Sequence, residues 1–543
     1  MKIVECVPNF SEGRDLNKIK IITDAISSVS GISLLDVDPG ADTNRTVVTF
    51  VGDPDTVLEA AYLAIKTAAS VLDMRMHHGA HARMGATDVC PFIPVSDVSM
   101  EDCILLSKRL GEKVGSELNI PVFLYENSAS KPERQNLANI RAGEYEGMAE
   151  KLKSKEWIPD FGPAKLNENA GVTAIGAREF LIAYNVNLNT QSKKIATDIA
   201  LDIREAGRRA RNSKGKFFTD EAGNPVMKPG KLKSVKAVGW YIDEYKLAQI
   251  SMNLTNYNIT PVHIAFEESR IEARKRGVRV TGSELVGLIP LKALLDAGLY
   301  YLKKQNRPTG IPAKDIIHIA VKSLGLDDLA PFNPNEKIIE YKIGNKFGEL
   351  ATMPIHEFMD ELSRESPAPG GGSVSALAGS LGASLTAMVS NLTAGKKKFA
   401  DVFDKMVKLG DNSQKLKSQL LKLIDEDTDA FNEVMNAYRL PSGNDHEISA
   451  KNLAIERANQ VATNVPLKVA SACAEAMTLA IEAATLGNPN SISDAGVAGE
   501  MAHAGAHGAV LNILINLSNI TDLEYCNNLR NKSEQILSSV DAD

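Results

Sequence analysis

Asp327-Asp328-Leu329-Ala330-Pro331-Phe332-Asn333-Pro334-Asn335-Glu336-Lys337-Ile338-Ile339-Glu340-Tyr341-Lys342-Ile343-Gly344-Asn345 divides this chain into two kinds of sequence. Pro331, Pro334 and the turn formers around them read as a domain linker, because proline lacks a backbone donor and interrupts regular structure. Before it, short runs rich in β-branched and aromatic residues alternate with segments of helical period. Residues 32–37, 46–51, 121–125, 180–187, 235–242 and 248–254 read as strands, as does the opening Met1-Lys2-Ile3-Val4-Glu5-Cys6-Val7. Between them, 15–29, 55–71, 100–118 and 197–209 carry apolar residues at helical spacing. That alternation implies α/β or α+β layers. After the linker Ala, Leu, Ser and Met dominate, strand signals vanish and Trp is absent. Residues 355–364, 374–392, 399–438, 447–486 and 494–517 read as helices, the longest with an interruption. Small residues in Ser375-Ala376-Leu377-Ala378-Gly379-Ser380-Leu381-Gly382-Ala383 allow close helix approach, so an all-α bundle that pairs with a copy of itself is expected.

Within the first part, 156–171 is polar and rich in Gly, Pro and Asn, and is expected to join two subdomains. Residues 212–233 (NSKGKFFTDEAGNPVMKPGKLK) read as an exposed excursion. Its lysines fit a solvated face or an electrostatic lure for an anionic substrate tail.

At 543 residues the chain exceeds one core, and about three folding units are expected. A net charge of −7 argues against nucleic acid or an anionic membrane as the main partner, since both need a basic face. The start has no apolar signal core, and apolar stretches such as 376–389 are short for a bilayer. Five scattered cysteines without a CxxC fit reduced thiols. A cytoplasmic multidomain enzyme is the expectation.

Three of the nine histidines fall in His77-His78-Gly79-Ala80-His81-Ala82-Arg83-Met84-Gly85-Ala86-Thr87-Asp88. Imidazole exchanges protons near neutrality and also ligates metals. His77 and His81 have the i, i+4 spacing of zinc pairs, but the glycines weaken a helix and no Glu completes the pattern. General acid/base work, structural hydrogen bonding and metal binding all remain open, with Asp88 and Asp38 as groups to fix a tautomer. Asp36 and Asp38 share a face at a strand end, where a turn role is also natural, and Asp42-Thr43-Asn44-Arg45-Thr46 adds polar groups to the same mouth.

In the helical part, Ser366-Pro367-Ala368-Pro369-Gly370-Gly371-Gly372-Ser373 precedes a helix whose exposed N–H groups suit an anion or a planar ligand, or form a plain interhelical turn. Leu416, Leu420, Ile424, Asp427 and Phe431 share one apolar stripe. An acid on such a stripe has its charged form disfavoured, which suits general acid work, although a structural Asp is equally natural. Asp425, Glu426 and Asp429 are expected to flank it or face solvent. Ser493 or Asp494 caps the next helix, or Asp494 faces a ligand at an interhelical mouth.

Several of these segments together resemble a known family. Val4-Glu5-Cys6-Val7-Pro8-Asn9-Phe10-Ser11-Glu12-Gly13, the 36–46 turn, 79–88 followed by Val89-Cys90-Pro91-Phe92, and Arg141-Ala142-Gly143-Glu144-Tyr145-Glu146 look like the formiminotransferase half of formimidoyltransferase-cyclodeaminases. Pro369-Gly370-Gly371-Gly372-Ser373 and the Asp425-x-Asp427 helix look like the cyclodeaminase half. The resemblance covers nearly the whole chain. It implies two ferredoxin-like α/β subdomains (1–178 and 179–330), a linker (331–346) and a helical domain (347–543), assembled as a homo-oligomer. It implies transfer of the formimino group from N-formimino-L-glutamate to N5 of tetrahydrofolate, with or without a polyglutamate tail. Cyclisation of 5-formiminotetrahydrofolate to 5,10-methenyltetrahydrofolate with loss of ammonia would follow.

The transferase base then maps onto His81, with Asp38 beside it, and the folate-binding stretch onto Gly162-Pro163-Ala164-Lys165-Leu166-Asn167-Glu168-Asn169-Ala170-Gly171. The cyclodeaminase acid/base maps best onto Asp427, although spacing alone does not separate it from Asp425. Arg45, Arg83 and Arg178 are candidates for substrate carboxylates, and Gly371, Gly372, Ser373 and Asp494 for the second site. Neither half requires a metal or redox cofactor, and neither nucleic acid nor membrane is an expected partner. The polar 162–171 stretch and the long 212–233 excursion depart from vertebrate relatives, which bears on pterin and glutamate-tail contacts. The rival readings are a chain with one active half, a methenyltetrahydrofolate cyclohydrolase in the helical half, formyl transfer, and a metal-dependent hydrolase on His77, His78 and His81.

Overall fold

The computed structural model describes residues 2–41, 44–79, 82–212, 215–220, 224–344 and 347–542. The chain forms two compact units, Met1–Leu291 with Leu326–Ile343, and Lys292–Gly325 with Gly344–Asp543.

In the first unit, β1 (Ile3–Cys6), β2 (Asn9–Phe10), β3 (Ser33–Gly40), β4 (Arg45–Gly52), β5 (Thr87–Ser96), β6 (Val122–Glu126) and β7 (Thr173–Ala177) make a seven-stranded sheet. β1 and β2 lie end to end between β4 and β5, β3 borders β4, and β7 then β6 extend the sheet in parallel past β5. Helices α1 (Leu16–Ser27), α2 (Pro54–Val71) and α3 (Met100–Glu117) pack on one face, burying Val4, Cys6, Phe50, Cys90 and Phe92. Asp15, Asp53 and Ser99 cap these helices by accepting from their first N–H groups. Two short helices, α4 (Leu137–Arg141) and α5 (Glu144–Lys151), follow β6 in the chain.

The central strand β5 carries Pro91 and Pro94, which speak against a central strand in sequence. Pro91 falls opposite the gap between β1 and β2, and Pro94 at a register slip beside Ile3 and Val4, so the ladder tolerates both.

β8 (Ile182–Leu188), α6 (Lys193–Ile203), the short strands β9 (Arg208–Arg209) and β10 (Met227–Lys228), β11 (Val235–Ile242), β12 (Leu247–Leu254), α7 (Val262–Lys275) and β13 (Val280–Val286) complete the α/β part. Its antiparallel sheet runs β11-β12-β8-β13. In both sheets a βαββαβ core has the spatial order second, third, first, fourth strand, which is the ferredoxin-like arrangement. The helix expected over 197–209 starts earlier, under a Ser192 cap, and stops at Ile203. Gly207 then takes φ +62 where a Cβ would overlap the Lys228 carbonyl, and Arg208–Arg209 pair with β10. Much of the proline-rich stretch that opened the sequence reading packs into this unit: in α10 (Pro334–Lys337) and α11 (Ile339–Lys342), with Ile338 between them, Ile338 and Ile339 are fully buried, and Lys342 donates to the Leu35 carbonyl at 2.7 Å.

The second unit is helical. α8 (Leu291–Lys304) and α9 (Ala313–Leu324) come from the stretch expected in the second α/β subdomain. Then follow α12 (Glu349–Thr352), α13 (Ile355–Leu362), α14 (Gly371–Ala394), α15 (Phe403–Tyr438), α16 (Asp445–Leu486), α17 (Ile492–Leu517) and α18 (Leu523–Ala542). Pro466 lies inside α16, which continues through it. α14 and α17 run antiparallel in close contact: a Cβ on Gly382 would come within 2.7 Å of the Ala498 carbonyl, and one on Gly505 within 2.8 Å of the Ser375 carbonyl. By length and composition α14 and α16 are long and apolar enough to cross a membrane, more than the sequence reading of 376–389 allowed; 61% of the α14 window is buried within the fold.

Candidate active sites

Beside the first sheet, Asn44, just before β4, meets His77 and His78. His77 is buried there, its Nε2 donating to the Asn44 carbonyl at 2.8 Å while Arg83 Nε approaches Nδ1 at 3.4 Å. Both ring nitrogens are thereby occupied, and burial holds the imidazole below its ordinary pKa, so it is neutral at pH 7 and poorly placed to ligate a metal. Asn44, at φ +48, donates through its amide to the His78 carbonyl and accepts from Gly13 N. Ala80 and His81 lie outside the described residues, as do Asp42 and Thr43.

Asp88 organises the neighbouring cluster. The β2–β5 register slips between Asn9↔Val89 and Phe10↔Thr87, leaving Asp88 as an extra residue, and such a bulge re-aims a side chain. Fully buried, it accepts from Arg45 at 2.6 Å, Arg141 at 2.5 Å and Met84 N at 2.9 Å. Arg45 also donates to Asn9 Oδ1, and Arg83 donates to Glu144 and Glu146 at 2.6–2.9 Å. Arg45 and Arg83 therefore direct their guanidinium groups at protein carboxylates, and Asp88 serves arginines where the sequence reading had it orienting a histidine. Arg178 donates to the Glu179 carbonyl, and its charge acts on Glu5 and Glu126. Asp38 is exposed on β3 opposite Val47, which in turn pairs with Asn9.

The 162–171 loop is tied to this segment. Met74 N donates to the Asn169 carbonyl and Ala86 N to that of Ala170, while Gly171, at φ +71, has no room for a Cβ against Met84. Residues 162–165, 168 and 169 remain exposed.

Sequence reasoning missed two features here. Glu5 is buried with its pKa pushed up to about 7 by desolvation, which Arg178 only partly offsets. In the second sheet, Asn185, Asn187 and Gln249 are buried among hydrogen bonds to one another, Glu284, Trp240 and Asp328 at 2.9–3.1 Å. They occupy the face opposite Tyr184, Val186 and Leu188. Lys236, on the polar face, draws the pKa of Glu126 in β6 downward against the larger effect of burial. Polar residues two apart in an otherwise apolar strand, as in Asn185-Val186-Asn187, were the legible signal.

In the helical unit Asp427 sits over the N-terminus of α14. Ser373 N–H bonds to its carboxylate, Ser373 Oγ lies 3.3 Å from Asp427 Oδ2, and a Cβ on Gly372 would overlap the carboxylate. Burial raises its pKa and the Ser373 bonds lower it, the first prevailing. Asp425 has another role: it accepts from Leu350 N and Ala351 N at 2.9 and 3.1 Å, capping α12 from a half-buried position. Asn512 of α17, unforeseen in the sequence, lies against Gly371, where a Cβ would come within 3.1 Å of its side chain. Asp494 is apart: α17 antiparallels α14, so its first turn lies at the opposite end from Gly371–Ser373, about 27 Å along an 18-residue rise. The cap of α17 is Ser491, with Asp494 in the first turn.

Family models cover the chain in three parts: a formiminotransferase domain N-terminal subdomain over residues 3–178, a formiminotransferase domain over 183–344, and a formiminotransferase-cyclodeaminase model over 354–535. The rat formimidoyltransferase-cyclodeaminase is 43% identical over 538 residues, covering 99% of this chain and 96% of its own. The chain belongs to the formimidoyltransferase-cyclodeaminase family. Relatives of each half also exist alone. A glutamate formimidoyltransferase of Streptococcus pyogenes is 45% identical over 305 residues, 56% of this chain and 95% of its own. A methenyltetrahydrofolate cyclohydrolase of Methylorubrum extorquens is 39% identical over 188 residues, 35% of this chain and 90% of its own. The α/β part and the helical part of this chain are thus each similar to a protein that stands alone elsewhere.

Proposed function

We propose that the chain carries out two consecutive folate reactions of histidine degradation. The α/β part transfers the formimino group from N-formimino-L-glutamate to N5 of tetrahydrofolate. The helical part closes 5-formiminotetrahydrofolate to 5,10-methenyltetrahydrofolate and releases ammonia. The observation that carries this reading is the match along nearly the whole length of both halves, in the same order, to bifunctional relatives.

In the transfer, N5 attacks the formimino carbon and must lose a proton. His81 is the proposed acceptor, with Asp38 orienting it or stabilising the cationic amidine. The anchored, neutral His77 supports the backbone that leads to it. The exposed part of the 162–171 loop is the proposed folate contact, and a shared cleft supplies the orientation of the two substrates. In the cyclisation, N10 attacks the same carbon and the amino group leaves once protonated. Asp427, whose pKa burial raises, delivers that proton, and its hydrogen bond to Ser373 N–H fixes its direction. The capping role of Asp425 favours Asp427 between the two.

A homo-oligomer fits the apolar stripe on α14, where Val374, Leu381 and Met388 recur every seven residues and are 38–48% exposed. Five buried free cysteines fit a reducing compartment such as the cytoplasm. The cyclohydrolase relative gives the helical half a second reading. Purified chain supplied with 5-formiminotetrahydrofolate should yield methenyltetrahydrofolate and ammonia in equal amounts. No ammonia, together with hydrolysis of added methenyltetrahydrofolate, would select the cyclohydrolase instead.

A further inference from the structure

His503 and His507 lie one turn apart on α17, with their rings stacked at 4.3 Å between centroids. The Nε2 atoms of both converge on one oxygen of Asp541, in the last turn of α18, at 3.1 and 2.8 Å. The three potential donor atoms lie within 4.8 Å of one another, and the two proposed reactions use none of these residues.

A histidine pair at i, i+4 is held by its helix in the geometry that binds a first-row transition ion, so little order has to be gained on binding. Two imidazole nitrogens and one carboxylate oxygen form a borderline-soft set that favours zinc, nickel or copper over calcium or magnesium. Both rings are 39% exposed, so solvent can accept a hydrogen bond from each Nδ1–H, the tautomer that leaves the Nε2 lone pair to a metal. Three protein donors leave one tetrahedral position for water. His503 also lines a cavity of about 260 Å³ together with Met477, Ala480, Ile481, Ala484 and Glu500.

We propose that His503, His507 and Asp541 bind one divalent transition ion, with zinc the favoured occupant, and that the ion ties the C-terminal helix to the bundle. Because the donors come from two helices, the bound ion favours only the state in which α18 is docked on α17.

The test uses the full chain purified without a polyhistidine tag, with zinc chloride titrated calorimetrically and cobalt(II) chloride followed by visible absorption. The N-terminal histidines are a separate potential ligand set, so the decisive quantity is the difference between proteins. The His503→Ala/His507→Ala variant should bind one equivalent fewer than the wild type and lose the zinc-dependent rise in melting temperature. Asp541→Asn keeps the shape of the side chain and should weaken binding by about tenfold or more. Both variants binding as many ions, as tightly, as the wild type would overturn the proposal, as would a wild type that takes up no zinc. Equal melting temperatures of all three proteins in chelator would show that lost binding is not lost folding; a variant already unfolded in chelator leaves Asp541→Asn to decide.

Discussion

Replacing Glu5 with Gln isolates what it costs to hold a carboxylate inside the first sheet. Glu5 is 4% exposed, and burial pushes its pKa from 4.5 to about 7 despite the attraction of Arg178. A folded-state pKa above the unfolded one means that the unfolded chain ionises first as pH rises. The stability given by the neutral carboxyl is whole below about pH 4.5 and is lost as pH climbs through about 7. A rise from 4.5 to about 7, at ~1.4 kcal/mol for each tenfold change in the ionisation constant, comes to about 3 kcal/mol. Glutamine is neutral throughout. Glu5→Gln should therefore match the wild type near pH 4 and exceed its stability by about 3 kcal/mol near pH 8. Both tryptophans, Trp157 and Trp240, belong to the first unit, so their fluorescence during urea unfolding follows that unit apart from the helical one. A difference between the two proteins that stays within about 0.5 kcal/mol across that range would refute the reasoning.

Asp88→Ala leaves two guanidinium groups without their carboxylate and should cost the same unfolding transition about 3–5 kcal/mol, whereas Asp88→Asn, which keeps an acceptor, should cost less. Gly382→Ala forces α14 away from the Ala498 carbonyl and should lower the stability of the helical unit by about 1–3 kcal/mol, measured by helical circular dichroism with the tryptophan signal unmoved. Asp425→Ala removes the cap of α12 and should cost about 1 kcal/mol while ammonia release per folded molecule persists.

The helices and strands with a clean period were legible: Asp15, Asp53 and Ser99 announce their helices, and β11 has the bounds its alternation implied. β5 was hidden by two prolines whose harmlessness depends on gaps in partner strands, which no local pattern records. α18 was passed over because its polar residues dilute the apolar period of Cys526, Leu529, Ser533 and Val540. At the candidate sites, the apolar stripe around Asp427 and the start of α14 near Gly371 were legible because burial and helix N-termini follow from spacing. It could not tell that Asp425 caps α12, or that Arg45 and Arg83 face Asp88, Glu144 and Glu146, since those partners lie 43 to 75 residues away along the chain. Asp494 shows the converse: the antiparallel packing of α17, which no local pattern records, places it at the far end from Asp427.

The central claim, two reactions at two separate sites, is tested most directly by assaying each half-reaction on His81→Ala and Asp427→Ala. Formimino transfer should vanish in the first with cyclodeamination intact, and the reverse should hold in the second. Loss of both activities in either folded variant would contradict the account.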